Sequence, residues 1–187
     1  GGDRLGVYYL EKGASQRPSK IIYDRKHTAI SEASTNDFDW DEIFADAAWF
    51  HFTGITVALS ENLRQICEQA CIAAKRNGVK VSCDLNYRKS LWTTEEAQRA
   101  MKPLMQYVDV LIANEEDSEK VLGVKADNTD ITLGKLSLEG YSSLAANLTE
   151  KYGFEMVAIT LRESISASVN NWSAMIYTGG RTYVSKK

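Results

Sequence analysis

The residues able to do chemistry stand at the ends of four apolar runs. "VSCDLNYRKSLW", residues 81–92, sets Asp84, Asn86 and Arg88 where an apolar strand hands over to a turn. "VDVLIA" leads into Asn114, Glu115, Glu116 and Asp117, and "EMVAITL" carries Thr160 and leads into Arg162 and Glu163. "AAWFHFTG" ends at Thr53 and Gly54. An arginine grips a carboxylate or phosphate through two parallel hydrogen bonds. Acids in such a turn hold Mg²⁺, usually through water. Thr160 and Arg162 suit phosphate oxygens. A small anionic substrate together with a metal-bound nucleotide would use all of these groups.

Taken singly, each group also has a plainer reading. Asp84 and Asn86 serve as turn residues or helix caps in many proteins. The "NEED" run reads equally as a helix start whose acids favour the helix dipole. Arg25 and Arg88 read as surface ion-pair residues, and Tyr8 and Tyr23 as strand packing. His27 and His51 carry no partner pattern, and His51 reads as a structural residue within a strand. The case for a site rests on the four runs ending at one edge.

The elements that must position them follow from periodicity. Residues 6–10 and 20–23 read as short strands around a Gly/Ser/Pro-bearing turn, a hairpin-like flap with little core of its own. From Asp37 the character changes. Trp40, Ile43, Phe44 and Ala47 keep helical spacing, and Ser60 opens a helix whose stripe is Leu63, Ile66, Ala70, Ala73 and Ala74, ended by Gly78. Thr93 and Glu96 form a capping box ahead of Ala97, Met101, Leu104 and Met105, with Pro103 set to shorten that helix. Asn114 caps a short helix closed by Gly123, and Tyr141, Leu144, Ala145, Leu148 and Tyr152 mark another. Residues 125–136 are polar and irregular. "SASVNN", "AMIYT" and "RTYVS" read as three short strands, the last two joined by a Gly179-Gly180 hairpin turn. Alternation of strand and helix from 48 to 161 predicts a mostly parallel α/β sheet with helices on both faces, plus a small β lid. In such sheets ligands bind beyond the carboxyl ends of the strands, where the four polar sets lie.

Composition bounds the alternatives. The 187 residues are 44% apolar and 25% charged with net charge −3, an ordinary globular balance without the basic surface of a nucleic-acid binder. No apolar run approaches membrane-helix length, and no signal-peptide pattern opens the chain. Three cysteines, Cys67, Cys71 and Cys83, cannot all pair and fit buried thiols in a reducing cytoplasm. The sequence has neither a Gly-x-Gly-x-x-Gly after the first strand of the α/β body nor a Walker-type Gly-Lys-Ser/Thr, which disfavours a dehydrogenase or P-loop site.

With these residues in view, the chain resembles the ribokinase-like (PfkB-type) carbohydrate kinases, most of all those acting on 2-keto-3-deoxygluconate. The matching stretches are "GVYYLEKGASQRPSKIIYDRKHTAIS", "FHFTGITVALS", "VSCDLNYRKSLW", "LIANEEDSEKVLG" and "VAITLRES", in family order across nearly the whole chain. The resemblance implies ATP-dependent phosphorylation of a sugar acid, with ATP and Mg²⁺ as cofactors. It implies that residues 1–34 form part of a lid and 35–187 the central part of the kinase domain. Tyr8, Tyr23 and Arg25 match lid positions that touch substrate, and Asn86 and Arg88 sit in the "DLNYR" segment whose arginine helps hold the substrate carboxylate. Asn114 opens the family's Asn-x-x-Glu motif, here with the shorter Asp117 in the fourth place, which organises Mg²⁺ and the phosphates. Thr160 and Arg162 fall where the nucleotide phosphates approach. The flap's exposed Tyr and Ile, and the family's habit of meeting through lids, imply a homo-oligomer.

The resemblance also implies a first strand with a Gly-Gly substrate loop before Gly1, and a glycine-rich anion hole with the catalytic Asp after Lys187. The expectation is therefore a fragment, inactive alone, with no catalytic base among its residues. Two alternatives stand beside this one: a non-catalytic sugar-phosphate or nucleotide-binding module, and a kinase of another sugar such as fructose or ribose.

Overall fold

The computed structural model describes residues 2–14, 17–126, 138–164 and 170–186. Strands β1 (Val7–Glu11) and β2 (Lys20–Asp24) pair antiparallel as a separate two-stranded sheet, in register Tyr8↔Tyr23 and Leu10↔Ile21. Arg4 grips the Asp24 carboxylate with both terminal nitrogens, at 3.0 and 2.6 Å, and so ties the chain start to β2.

The body begins with helix α1 (Trp40–Phe44), capped by Asp39, whose Oδ1 accepts from the Asp41 and Glu42 amides. It is shorter than the Trp40–Ala47 spacing predicts. Trp40 and Phe44 turn inward, stacking at 5.5 Å, while Ile43 stays exposed; Ala47 still packs on the core, but from beyond the helix end. Strand β3 (Trp49–Thr53) then runs into helices α2 (Gly54–Leu59) and α3 (Glu61–Arg76). Ser60 caps α3, accepting from Leu63 N–H at 3.2 Å, and all five residues of the predicted stripe are buried. Next come β4 (Lys80–Asp84) and α4 (Thr94–Met101), with both bonds of the Thr93–Glu96 capping box in place. Past Met101 the chain tightens to a 3₁₀ helix over Lys102–Tyr107, because Pro103 lacks the N–H that an α-helix would bond.

Strand β5 (Val110–Ala113) leads to α5 (Glu115–Asp117), which widens into a π turn over Ser118–Leu122 and ends at Gly123 in the left-handed region. Helix α6 (Leu138–Tyr152) precedes β6 (Met156–Ser164), β7 (Asn170–Thr178) and β8 (Arg181–Val184). The "AMIYT" stretch is thus part of one longer strand that starts at Asn170; most of "SASVNN" and of the polar 125–136 segment lies outside the described residues. Gly179 and Gly180, both at positive φ, make the β7–β8 turn, whose backbone suits the twist of the strands it joins.

The six-stranded sheet has order β3-β4-β5-β6-β7-β8, the first four strands parallel and the last two antiparallel. A core row crosses it in register: Phe52, Cys83, Leu111, Val157 and Tyr177. The buried residues of α1, α4 and α6 and those of α3 from Cys67 onward join this row in one cluster, while Leu63 and Ile66 of α3 pack with Ala33 in a second, smaller one. The other face, with Trp49, His51, Ile112, Ala158 and Ile176, contributes nothing to that cluster. The layer of helices expected on both faces is therefore found on one face among the described residues. The reason is topological. A parallel crossover is right-handed, and here the strand order advances in one direction only, so successive crossovers fall on the same side.

Asp109 joins four of these elements. Its carboxylate takes Lys75 Nζ of α3 at 2.6 Å and the Val81 N–H of β4 at 2.8 Å, and its carbonyl accepts the Glu155 N–H ahead of β6. Burial opposes its ionisation, but the Lys75 bond and the Val81 N–H outweigh that and hold the carboxyl below its ordinary range. A depressed carboxyl pKa contributes stability that is present above the unfolded value and lost as pH falls through the folded one. We expect Asp109→Ala to lower unfolding free energy by about 2 kcal/mol at pH 7 in urea titrations, and the gap to close as pH falls below about 4.

Candidate active site

The carboxyl ends of β3, β4, β5 and β6 share one edge because the strands are parallel. Thr53 pairs with Asp84, Asp84 with Ile112, and Ile112 with Ala158, so Asn114 and Thr160 stand level two residues further on. Between the first two strands the approach is close. Gly54 opens α2 against the Leu85 carbonyl, where a Cβ would stand 2.2 Å from the oxygen. Only glycine lets the β3–α2 turn sit on the β4 loop.

That loop is built for presentation. Asn86 takes a left-handed backbone (φ 41°), a conformation asparagine tolerates better than most residues, and its Nδ2 donates to Thr53 Oγ1 at 3.4 Å. The Tyr87 N–H donates to Asp117 Oδ1 at 3.2 Å, and the Tyr87 carbonyl accepts from Arg88 Nη1 at 2.9 Å. Asn114 in turn caps α5, its Oδ1 accepting the Asp117 N–H at 2.7 Å. Three of the four predicted polar sets are thus bonded to one another.

Arg88 faces a cavity of about 750 Å³ beneath the β1–β2 flap, together with Ile21, Tyr23, Arg25, Lys26 and His27 on the flap side and Ile55, Leu59 and Leu91 on the body side. The Arg25 guanidinium lies over the Tyr23 ring at 4.2 Å. A turn fixes the flap's exit: the Thr28 hydroxyl donates to the Arg25 carbonyl at 3.0 Å and the Ser31 hydroxyl to the Thr28 carbonyl at 2.9 Å. The wall is cationic and aromatic on one side and aliphatic on the other.

The predicted residues distribute as follows. Tyr23, Arg25 and Arg88 line the cavity. Tyr8 stands behind Tyr23 across the ladder, ring centroids 6.2 Å apart, and is not a wall residue. Asn86 shapes the loop through Thr53 rather than lining the cavity. Asn114 and Asp117 brace the loop from the next strand. Arg162 turns toward β7, donating to Asn170 Oδ1 at 3.0 Å and lying 5.5 Å over the Trp172 ring. Thr160 is exposed on β6. The sequence pattern does not single out Lys26 and gives His27 no partner, although their place in the Asp24–His27 run beside Arg25 is the available signal; in the structure His27 Nδ1 lies 3.0 Å from Glu32 Oε1.

Burial sets the electrostatics of the rim. It pushes the Asp84 carboxyl up, against the Asn86 N–H and the His51 and Arg88 charges. It pushes Asp117 up to about 6, against the Tyr87 N–H and helped by repulsion from Asp84. Both acids stand within the field of Arg88. Away from the rim, burial raises all three thiols, Cys67 to about 12, so they are neutral packing groups.

For a divalent cation the donor set is sparse. Among the described residues no three His, Cys, Asp or Glu side chains cluster tightly enough to hold a metal ion. The oxygens of Asn114 and Asp117 fit an Mg²⁺ that keeps most of its water or phosphate ligands, and do not form a cage of their own.

A parallel sheet whose carboxyl edge adjoins a β flap over a cleft lined by Arg25, Lys26 and Arg88 defines an α/β protein with a flap-covered cleft. The family follows from comparison: residues 1–163 match the model of the pfkB family carbohydrate kinases, and the chain belongs to that family. A 2-dehydro-3-deoxygalactonokinase of Haloferax volcanii is 37% identical over 160 residues, 86% of this chain and 46% of the relative. A 2-dehydro-3-deoxygluconokinase of Thermoproteus tenax is 33% identical over 66% of this chain and 38% of its own length. The crystal structure of 2-dehydro-3-deoxygluconokinase from Thermotoga maritima superposes with TM-score 0.92 at 56% identity, covering 100% of this chain and 54% of that one. The chain spans about half the length of these proteins or less.

Because the Gly54–Leu85 approach sets the height of the Arg88 loop, we expect Gly54→Ala to cost about 1–3 kcal/mol of stability by thermal unfolding. It should also weaken anion binding in the cavity more than a core substitution of equal cost, such as Leu111→Val.

Proposed function

We propose that the protein is an ATP-dependent sugar-acid kinase that transfers the γ-phosphoryl group to the 6-hydroxyl of 2-keto-3-deoxygluconate. The observation that carries the reading is the meeting of Arg25 and Arg88, 63 positions apart by their numbers, on one cavity with an aromatic wall. A sugar acid offers a carboxylate to paired guanidinium groups and a carbon face to Tyr23. In this reading residues 1–34 form part of the lid and residues 35–187 the central part of the kinase domain. Tyr8 backs Tyr23, and Asn86 holds the loop that aims Arg88. Thr160 and Arg162 take the nucleotide phosphates at the β6 end. Asn114 and Asp117 hold Mg²⁺ through water, and the ion when bound neutralises charge on the phosphates. Phosphoryl transfer needs chiefly positioning and charge stabilisation, which is what these groups supply.

Support for the acid substrate comes from two relatives named for 2-dehydro-3-deoxygluconate and one named for the galactonate epimer. The last favours a second reading, in which 2-keto-3-deoxygalactonate is also a substrate. No described helix is long and apolar enough to cross a membrane, and the three buried thiols suit a reducing cytoplasm, where we place the protein.

An ADP-release assay on the intact protein with MgATP tests the substrate. Both sugar acids, fructose and ribose are compared. We expect turnover of the acids, and for Arg88→Ala a loss of about 2–4 kcal/mol in kcat/KM, roughly 30- to 1000-fold. Turnover of neutral sugars alone, unaffected by Arg88→Ala, would overturn the acid assignment.

We also propose that the flap joins two copies. Its face away from the cavity carries Val7, Tyr9 and Ile22, exposed at 47%, 60% and 51%, next to Leu5 at 81%. A two-stranded sheet bare on such a face gains stability from a partner. Tyr9→Ser combined with Ile22→Ser should shift the protein to monomer in sedimentation velocity; an unchanged oligomer would place the interface elsewhere.

A further inference from the structure

We propose that Asp117 is a positioning residue that couples the polar turn after β5 to the loop carrying Arg88, so that ligand held at one favours binding at the other. The inference rests on the sugar-acid reading above. Asp117 is 6% exposed, and its Oδ1 is committed to the Tyr87 N–H across 30 residues of sequence. Its own N–H is held by Asn114 Oδ1, and the Asn114 carbonyl accepts both the Ser118 N–H at 3.0 Å and the Ser118 hydroxyl at 2.8 Å. On the other side Tyr87 is fixed twice: its hydroxyl donates to the Trp92 carbonyl at 3.3 Å and its carbonyl receives Arg88 Nη1. The path from Asn114 to the Arg88 guanidinium is therefore a chain of bonded groups with Asp117 as its link.

The link is also enclosed. A carboxylate is placed out of water beside Asp84 and Glu116, both of which repel it, with Arg88 the attracting charge. With Oδ1 committed to the Tyr87 N–H and the side chain enclosed, this carboxylate would act on an Mg²⁺ through water, as proposed above, while it holds the loop directly. Movement of the Asn114 turn by a phosphate–Mg²⁺ ligand would be passed to Tyr87 and so to Arg88.

The test uses wild type, Asp117→Ala and Asp117→Asn, the last retaining a side-chain acceptor for Tyr87. Dissociation constants for 2-keto-3-deoxygluconate are measured by calorimetry without nucleotide and with saturating MgADP, and exchange of the Tyr87 amide proton is followed by NMR. We expect Asp117→Ala to weaken sugar-acid binding about tenfold and abolish its enhancement by MgADP, with Asp117→Asn binding the sugar acid in the absence of nucleotide within about twofold of wild type. The Tyr87 amide should exchange faster in Asp117→Ala alone. Unchanged Tyr87 exchange in Asp117→Ala overturns the proposal. So does loss of MgADP affinity in both variants with sugar-acid binding intact, which would confine Asp117 to the Mg²⁺ role without a link to the Arg88 loop. If wild type binds no sugar acid, the substrate reading fails, and Tyr87 exchange still decides the link. Should Asp117→Ala not fold, Asp117→Ser, too short to reach Tyr87, takes its place.

Discussion

The register of the parallel ladder is the constraint on which the rest depends. Because β3 to β6 run the same way and are paired within one or two residues of level, side chains far apart in sequence must surface together. Thr53, Asp84, Asn114 and Thr160 owe their common edge to this and to nothing in their own chemistry. A slip of one residue in any strand would turn its core row to the wrong face and carry its polar end off the rim. The core row Phe52, Cys83, Leu111, Val157, Tyr177 makes such a slip costly, so the apolar interior fixes the site's geometry.

Sequence periodicity made the elements legible where a local rule was sufficient. The α3 stripe, the Thr93–Glu96 box, the Asn114 and Ser60 caps and the Gly179-Gly180 turn each depend on residues within a few positions, and each is present. The edge of the sheet was legible for the same reason, since alternation of strand and helix implies parallel strands. What could not be read were distances set by tertiary contact. The Asp117–Tyr87 bond and the Gly54–Leu85 approach join residues about 30 positions apart, and nothing in either neighbourhood encodes the other. The single helical layer follows from strand order, which composition does not carry. Of the site, Tyr23, Arg25 and Arg88 line one cavity; Arg88 was legible at a strand end, whereas Tyr23 and Arg25 gained a site role only from the family resemblance, and Asn86 bonds within the loop while Tyr8 stands beside Tyr23.

Two kinds of charge meet at the rim, and burial separates their roles. Arg88 is exposed, so its guanidinium stays hydrated until a ligand displaces water; it can exchange solvent for a carboxylate at little net cost. Asp117 is enclosed and Asp84 partly buried, and burial raises both. An enclosed acid that keeps a charge near an exposed arginine holds that arginine near its loop without quenching it by direct contact, because the Arg88 Nη1 bond goes to the Tyr87 carbonyl. The positive potential of the cavity is thereby kept available, reinforced by Arg25 and Lys26 from the flap.

The flap completes the argument from the opposite direction. Tyr8, Tyr9, Leu10, Ile21, Ile22 and Tyr23 are each at least 47% exposed, so the two-stranded sheet buries little on either face. A hairpin of this kind is marginal unless each face finds cover. One face looks into the cavity, where a ligand would supply cover through Tyr23 and Ile21; the other looks outward, where a second flap would. Ligand and partner then stabilise the same thin element from its two sides. The order of the flap should therefore rise with either, while the Thr28–Ser31 turn at its exit, hydrogen-bonded through the buried Thr28, anchors it to the body.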